Sequence, residues 1–215
     1  MMRAMAIRDY AAWHDEYDRA GSALHLRLLV VQDLIAAALD ELPPGPVPVI
    51  SMCAGQARDL IGVARRHRRG GDLAGILVEA DPRNAAAARA GIERAGLGGL
   101  TVIEGDAGQS GVYAGAIPAG LVLACGIFGN VSEEDIRRTV AFLPSLCAQG
   151  GWVIWTRRPE PDGILPVIQG WFEEAGFSPR TLVAPEGNLF GVGAARLAVR
   201  PPPFRSGQPL FAFAC

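Results

Sequence analysis

Short, continuous apolar runs alternate with helical segments along the middle of this chain of 215 residues. Strands that are apolar at every position are typical of a parallel sheet that is buried on both faces. Since right-handed crossovers place a helix after each such strand, the pattern predicts an α/β fold with an open parallel sheet and helices on both faces. The runs that we interpret as strands are Val49–Met52, Gly75–Val78, Leu100–Ile103, Leu121–Ala124 and Trp152–Thr156.

Helix signals separate these runs. Asp81-Pro82 is typical of an N-cap followed by proline at the first helical position, and it predicts a helix that closes near Gly96. Ser132-Glu133-Glu134-Asp135 resembles a capping box and predicts a helix that runs toward Leu146. After the last apolar run we expect one more helix over Ile164–Ala175.

The two ends of the chain have a different character. Residues 8–42 carry apolar residues at helical spacing and predict two helical segments that break near Gly21-Ser22. Beyond the last helix, Pro179–Val183 and Phe190–Val199 indicate a hairpin-like strand pair at one edge of the sheet. The proline-rich residues Pro201–Cys215 predict an extended tail. We therefore divide the chain into an N-terminal helical cap (1–44), a central α/β domain (45–200) and a C-terminal tail (201–215).

Charge and cysteine content argue against several classes of protein. The net charge is −2 and the pI about 5.9, so we expect no nucleic-acid partner. The basic run Arg65–Arg69 ends a helix, where cations favour the helix dipole, and we interpret it as a solvated helix end. The four cysteines are scattered without a C-x-x-C pair, which favours neither a metal site nor a disulfide framework and suits a reducing cytosol.

We expect a cytoplasmic protein without a membrane span. No basic and apolar leader opens the sequence. The uncharged stretch Ala114–Val131 contains Pro118, several glycines and Asn130. This composition indicates a buried strand between two loops rather than a transmembrane helix.

The first two strands end in residues that suit a nucleoside. The small-residue turn Ser51–Ala57 follows the first strand, and its backbone N–H groups can approach a ligand closely. Glu79 ends the second strand, where a carboxylate can accept hydrogen bonds from the two hydroxyls of a ribose. A carboxylate that ends a buried strand is costly without partners. The pair therefore predicts a site for an adenosine-containing cofactor.

Four segments at successive strand ends have a recognisable order. The first has Ser51, Cys53, Gly55 and Ala57 at alternating positions, and the others are Leu77–Pro82, Glu104–Ala107 and Leu123–Val131. Together they resemble the motifs of the class I S-adenosylmethionine-dependent methyltransferases over roughly residues 45–200. That family has an acid and three glycines at the alternating positions, of which this chain keeps the central glycine. Arg58 or Asp59 is a candidate to replace the missing acid.

The resemblance implies both a fold and a cofactor. The fold is a Rossmann-like three-layer sandwich around a seven-stranded, mostly parallel sheet with an antiparallel last strand, to which the N-terminal cap helices are added. The cofactor is S-adenosylmethionine, with Glu79 on the ribose, Asp106 near the adenine amino group, and no metal. The implied cofactor contacts are Cys53, Ala54, Gly55, Glu79, Ala80, Asp106, Ala107, Cys125, Gly126 and Ile127.

The candidate catalytic residues are His14, Tyr17 and Asn130. Tyr10, Trp13, His14 and Tyr17 form an aromatic cluster that is either ordinary packing of a cap helix or a lid over the cofactor. In a lid, His14 is a candidate proton acceptor and Tyr17 an aromatic neighbour of the sulfonium. Asn130 stands near the position where many family members have a histidine. We expect the acceptor between the N-terminal helices and residues 128–130, 155–158 and 186–188.

The hypothesis is methyl transfer from S-adenosylmethionine to a small-molecule acceptor, with release of S-adenosylhomocysteine. A hydroxyl acceptor needs a general base, whereas an amine that is already deprotonated depends less on such a base. Two alternatives stay open. One is a non-catalytic S-adenosylmethionine-binding protein of the same fold. The other is an NAD(P)-dependent oxidoreductase, which would carry G-x-G-x-x-G where this chain has C-A-G-Q-A-R. The sequence does not indicate an oligomeric state.

Overall fold

The strands of this chain form one continuous sheet. The computed structural model describes residues 14–159, 163–185, 187 and 189–213, without the side chains of His14 and Asp15. The strand order is β3-β2-β1-β4-β5-β7-β6, which confirms the predicted seven-stranded sheet. The strands are β1 (Val47–Met52), β2 (Leu73–Glu79), β3 (Leu100–Glu104), β4 (Ala119–Ala124), β5 (Cys147–Arg157), β6 (Phe177–Val183) and β7 (Gly191–Leu197).

The directions of the strands confirm the predicted mostly parallel sheet with an antiparallel last strand. The first five strands pair in parallel, whereas β7 is antiparallel to both β5 and β6. The predicted strand pair at one edge is therefore present, with β7 inserted between β5 and the edge strand β6. Ser51 of β1 is level with Leu77 of β2 and Leu123 of β4. This register brings the carboxyl ends of β1, β2 and β4 together, and ligands of open α/β sheets bind at such an edge.

Five α-helices accompany the sheet in the described part of the chain. Ser22, Asp81 and Ser132 cap α1, α3 and α4 through side-chain oxygens that accept backbone N–H groups. The caps at Asp81 and Ser132 confirm the sequence signals, and Ser22 lies at the predicted break between helical segments. None of the helices within the described ranges is both long and apolar enough to cross a membrane. The helices are α1 (Ala23–Glu41), α2 (Arg58–Ala64), α3 (Pro82–Arg94), α4 (Glu133–Phe142) and α5 (Ile164–Glu174).

Several element boundaries differ from the sequence prediction, and three of them affect the course of the chain. The segment before Gly21 contains a short 3-10 helix, His14–Asp18, in its described part. Helix α4 ends at Phe142 rather than near Leu146, because Pro144 has no N–H to donate and its ring opposes a further α-helical turn. Strand β5 begins five residues earlier than predicted, at Cys147, and Gly150 with φ of 81° interrupts its apolar pattern.

The apolar side chains form one core on each face of the sheet. On one face, α1, α2 and α3 contribute fully buried residues such as Ile35, Leu60 and Ala88. On the other face, α4 and α5 contribute residues such as Val140 and Phe172. The two cores and the sheet between them make the three-layer sandwich that the sequence predicted.

The interpretation of the basic run as a solvated helix end was wrong for Arg69. Its side chain is only 11% exposed and forms an ion pair with Asp72 at 2.8 Å. The guanidinium also donates to carbonyl oxygens at the end of α1, those of Leu39 and Leu42, and to the oxygens of Pro43 and Gly45 beyond it. Arg69 therefore satisfies carbonyls that α1 leaves without helical partners, a contact that sequence spacing does not reveal.

We expect Arg69→Ala to destabilise the fold by about 1.5–3 kcal/mol, the usual contribution of hydrogen bonds that involve a charged group. The matched control is Arg68→Ala, because Arg68 is 74% exposed and pairs only with the exposed Asp40. That variant should leave stability nearly unchanged. Urea unfolding followed by circular dichroism measures both, and equal midpoints for the two variants would contradict the role of Arg69.

Candidate functional site

A cavity of about 670 Å³ lies at the carboxyl ends of the strands around β1. Its wall contains eleven of the thirteen residues that the sequence singled out, so the motifs meet in one place. Those residues are Tyr17, Cys53, Ala54, Gly55, Glu79, Ala80, Asp106, Ala107, Cys125, Gly126 and Asn130. A volume of this size is in the range of small-molecule and cofactor sites.

The remaining predicted residues lie elsewhere. Ile127 is fully buried in the core beneath the cavity and does not line it. The side chain of His14 lies outside the described residues, as do Tyr10, Trp13, Glu186 and Asn188. Phe128 and Trp155, expected at the acceptor site, are both buried, with ring centroids 6.1 Å apart. These two rings therefore support the cavity from the core instead of facing an acceptor.

The turn after β1 has an unusual backbone. Cys53, Gly55 and Ala57 have φ angles of 52°, 56° and 55°. Cys53 and Ala57 are the non-glycine residues with positive φ in the described part of the chain. A side chain in this left-handed region costs roughly 1–2 kcal/mol. All three positions where the family has glycine therefore adopt a conformation that favours glycine, although two of them carry a Cβ.

Glu79 connects this turn to the end of β2. Its carboxylate accepts the N–H of Gly55 at 2.7 Å with one oxygen and the N–H of Asp81 at 2.8 Å with the other. The residue is only 8% exposed, yet it lines the cavity. Because each carboxylate oxygen can accept two hydrogen bonds, these contacts leave acceptor capacity for a ligand.

Three further carboxylates, those of Asp81, Glu104 and Asp106, line the same end of the cavity. Asp106 follows β3, and its Oδ1 accepts the N–H of Gly108 at 2.8 Å. Asp81 caps α3 by accepting the N–H of Arg83, and its hydrogen bonds to Arg83 lower its pKa to about 2. Glu79, Asp81 and Asp106 together give this end acidic acceptors for hydroxyl and amino groups, and we call it the acidic end.

A second group of residues on the cavity wall consists of Arg27 of α1, Tyr17 and Asp59, and we call it the second end. Arg27 donates to the Tyr17 hydroxyl at 2.6 Å. Burial raises the pKa of Tyr17 above its usual range, and the Arg27 guanidinium opposes this only in part. Tyr17 is therefore a neutral phenol at physiological pH. Burial likewise raises the pKa of Asp59, while the N–H of Leu60 and, more weakly, Arg27 lower it.

The structure distinguishes the two candidates for the missing acid of the first motif. The Arg58 side chain pairs with Asp18 at 2.6 Å and accompanies Gln56 on a separate groove between α1, α2 and α3. Asp59, the next residue, lines the cavity. Of the two candidates, Asp59 is therefore the one on the cavity wall, and its role in place of the acid stays a prediction.

Asn130 holds the loop after β4. Its amide donates to the carbonyl of Gly126 at 2.7 Å, and the N–H of Gly126 donates to Thr156 at 2.7 Å. These bonds occupy one donor of the Asn130 amide, and the residue lines the cavity. The arrangement is that of a positioning residue, and a catalytic role for Asn130 stays a prediction.

The two thiols on the cavity wall are weaker acids than an ordinary cysteine. Burial, with smaller effects of Glu79 and Asp106, raises the pKa of Cys53 well above its usual range. Burial and the nearby Asp59 do the same to Cys125. Both are therefore neutral thiols rather than nucleophilic thiolates at physiological pH. They act as small, polarisable wall residues.

Sequence reasoning missed Arg27, Asn84 and Phe213 on the cavity wall. Arg27 has a detectable signal, because it is a charged residue three positions after Leu24 and four before Val31 on the apolar stripe of α1. Phe213 has none, since it lies in the proline-rich tail more than 100 residues from the motif that it joins. Its position depends entirely on how the tail packs.

No family model and no curated protein matches the chain in sequence. Solved structures do match. One is an O-methyltransferase family protein from Burkholderia thailandensis, with a TM-score of 0.65 and 18% identity; the match covers 86% of this chain and 58% of that protein. Another is the CurJ carbon methyltransferase, with a TM-score of 0.67 and 15% identity; the match covers 89% of this chain and 59% of that protein. The magnesium protoporphyrin IX methyltransferase of Synechocystis with bound SAM also matches (TM-score 0.65, 12% identity, 90% and 99%). The chain thus spans under two thirds of the first two proteins, and the likeness to all three is one of fold.

We expect Ala57→Gly to be at least about 1 kcal/mol less destabilising than Ala88→Gly. Both alanines are fully buried and lose the same methyl group. At Ala57 glycine relieves the left-handed strain, whereas at Ala88, inside α3, it costs about 1 kcal/mol of helix propensity. Denaturant unfolding of the two variants measures the difference. Equal losses would show that the turn after β1 is not strained.

Proposed function

Because the chain has the fold of the class I S-adenosylmethionine-dependent methyltransferases, we propose that it binds S-adenosylmethionine and transfers the methyl group to a small-molecule acceptor, releasing S-adenosylhomocysteine. One observation carries the proposal. A single cavity joins the acidic end, which suits an adenosine, to the second end with Arg27 and Asp59, which suits an amino acid.

At the acidic end, Glu79 would hold the ribose hydroxyls and Asp106 the adenine amino group. Glu79 is buried, oriented by two backbone N–H groups and still has acceptor capacity. Hydroxyl and amino groups are the donors that such carboxylates recognise. The matched Synechocystis structure, with bound SAM, has the same fold and supports this choice of ligand.

At the second end, Arg27 would pair with the α-carboxylate of the methionine part and Asp59 with its α-ammonium. A guanidinium and a carboxylate on the same wall complement a zwitterion. This end is partly buried, so charge pairing there is screened less than at the surface.

The bound cofactor would supply an activated methyl group, and the chain's own residues would align the reactants and exclude water. Alignment contributes about 7–11 kcal/mol in favourable systems. Tyr17, neutral and hydrogen-bonded to Arg27, would present its phenol near the loop after β4. Asn130 would keep that loop in place through Gly126. With a raised pKa, Tyr17 is suited to donate a hydrogen bond to the acceptor rather than to remove its proton.

Two alternative functions make different demands on the same cavity. An oxidoreductase would bind NADH in preference to S-adenosylhomocysteine. A non-catalytic relative would bind S-adenosylhomocysteine but show no acceptor-dependent turnover. A cytoplasmic location and the absence of a nucleic-acid partner stay predictions from the sequence.

Calorimetric titration with S-adenosylhomocysteine, with NADH in parallel, tests the cofactor. We expect micromolar affinity for the first and no binding of the second. Glu79→Gln should weaken S-adenosylhomocysteine binding by about 10- to 100-fold, the range for a hydrogen bond to a charged group. The control Glu93→Gln makes the same change on an exposed part of α3. Binding of NADH without binding of S-adenosylhomocysteine would overturn this proposal and favour the oxidoreductase function.

The amino-acid end is tested by comparing two ligands. Asp59→Asn and Arg27→Met should each weaken S-adenosylhomocysteine binding by about tenfold or more. Neither should affect 5′-methylthioadenosine, which has the adenosine part without the amino acid. Arg65→Met, on the exposed end of α2, is the control. An equal loss of affinity for both ligands would show that Asp59 and Arg27 do not contact the amino-acid part.

The pH dependence of binding follows from the raised pKa of Asp59. Only the ionised carboxylate attracts an ammonium group, so affinity should fall as the pH drops through that pKa. Because burial raises it above the ordinary value of 3.8, the loss should begin at a higher pH than an ordinary aspartate would give. The Asp59→Asn variant should lack this component. Titrations in buffers of stepwise lower pH measure the difference, and identical profiles would remove Asp59 from the site.

A further inference from the structure

The C-terminal tail is attached to the loop that follows β3. The N–H of Leu210 donates to the carbonyl of Gly108 at 2.7 Å, and the N–H of Ser110 donates to the carbonyl of Gln208 at 3.0 Å. The buried Ser110 hydroxyl donates to the carbonyl of Arg205 and accepts the N–H of Gln208. The tail is therefore hydrogen-bonded to the segment that begins with Asp106.

Side-chain packing and a close backbone approach fix the tail further. Leu210 and Phe211 are 1% and 4% exposed. The carbonyl oxygen of Phe211 would lie 2.3 Å from a Cβ built on Gly108, so only glycine permits this approach. On the other side, Asp135 of α4 accepts the N–H of Ala212 at 3.1 Å. These contacts hold the tail between the loop after β3 and the start of α4.

Phe213 follows directly and reaches the cavity. Its ring lies edge-on to that of Phe211, with centroids 5.7 Å apart, and it lines the cavity together with Asp106 and Ala107. The side chain is 43% exposed. A large aromatic group that is partly exposed on a cavity wall is suited to contact a flat ligand.

We propose that Phe213 is the stacking surface for the adenine ring, so that the C-terminal tail completes the acidic end of the cavity. This inference deepens the proposed function and rests on it. Asp106 accepts a hydrogen bond from the edge of the base, and Phe213 covers the base's face. The ligand class is a purine nucleoside with an exocyclic amino group.

Titrations of Phe213 variants test this stacking. Phe213→Ala should weaken binding of S-adenosylhomocysteine and of 5′-methylthioadenosine by the same factor, about 5- to 150-fold. Phe213→Trp should restore most of the affinity, because it keeps an aromatic face, and Phe213→Leu should restore little. The control Phe204→Ala makes the same truncation in the same tail, where Phe204 packs on Phe142. It should leave both affinities unchanged.

A second pair of variants tests the loop that holds the tail. A Cβ on Gly108 would also lie 3.0 Å from Oδ1 of Asp106, so this variant reports on the tail and the loop together. Gly108→Ala should displace the tail, because its new Cβ meets the Phe211 carbonyl, and should weaken both ligands. Gly115→Ala, at an exposed glycine with nothing near its Cβ, should not.

The two proposals fail in different ways. If the wild-type chain does not bind S-adenosylhomocysteine, the proposed function fails. If it binds and Phe213→Ala binds equally well, or Leu restores as much as Trp, the stacking proposal fails alone. A nuclear Overhauser effect between the Phe213 ring and the adenine protons of bound 5′-methylthioadenosine would be the direct sign of contact, and its absence would overturn the proposal.

Discussion

The Glu79 carboxylate is the interaction on which the candidate site depends. It accepts the N–H of Gly55 and the N–H of Asp81, and so connects the turn after β1 to the end of β2. A buried carboxylate is costly unless it is hydrogen-bonded, and the backbone supplies those bonds here. The same contacts orient the carboxylate toward the cavity. The same carboxylate therefore stabilises the local fold and offers hydrogen-bond acceptors to a ligand. Because both roles belong to one residue, the sequence alone does not distinguish them.

The turn that Glu79 holds is strained, and the surrounding structure maintains it. Cys53 and Ala57 adopt left-handed backbone conformations that glycine would adopt without strain. The buried strand β1 precedes this turn and α2 follows it, with fully buried residues on each. Packing on both sides therefore constrains the path of the turn. It explains how a turn with one glycine holds three left-handed backbone conformations.

The sheet supplies only part of the cavity. Arg27 comes from α1, before the first strand, and Phe213 comes from the tail, after the last. Arg69 anchors the end of α1, and the loop after β3 anchors the tail. The flanking segments thus determine the character of the two ends of the cavity, with a cation at one and an aromatic ring at the other. Related folds with different flanks would offer the same strand ends and a different ligand environment.

The positions and burial of the five parallel strands, the helix starts at Asp81 and Ser132, and the place of Glu79 were determined by the sequence alone. Each depends on residues that are neighbours along the chain, so apolar runs and capping side chains reveal them. Only the tertiary structure revealed the contacts of Arg69 and the positions of Asp59 and Phe213 on the cavity wall. Their partners are distant along the chain, and a contact of that kind exists only after the sheet, the helices and the tail have packed together.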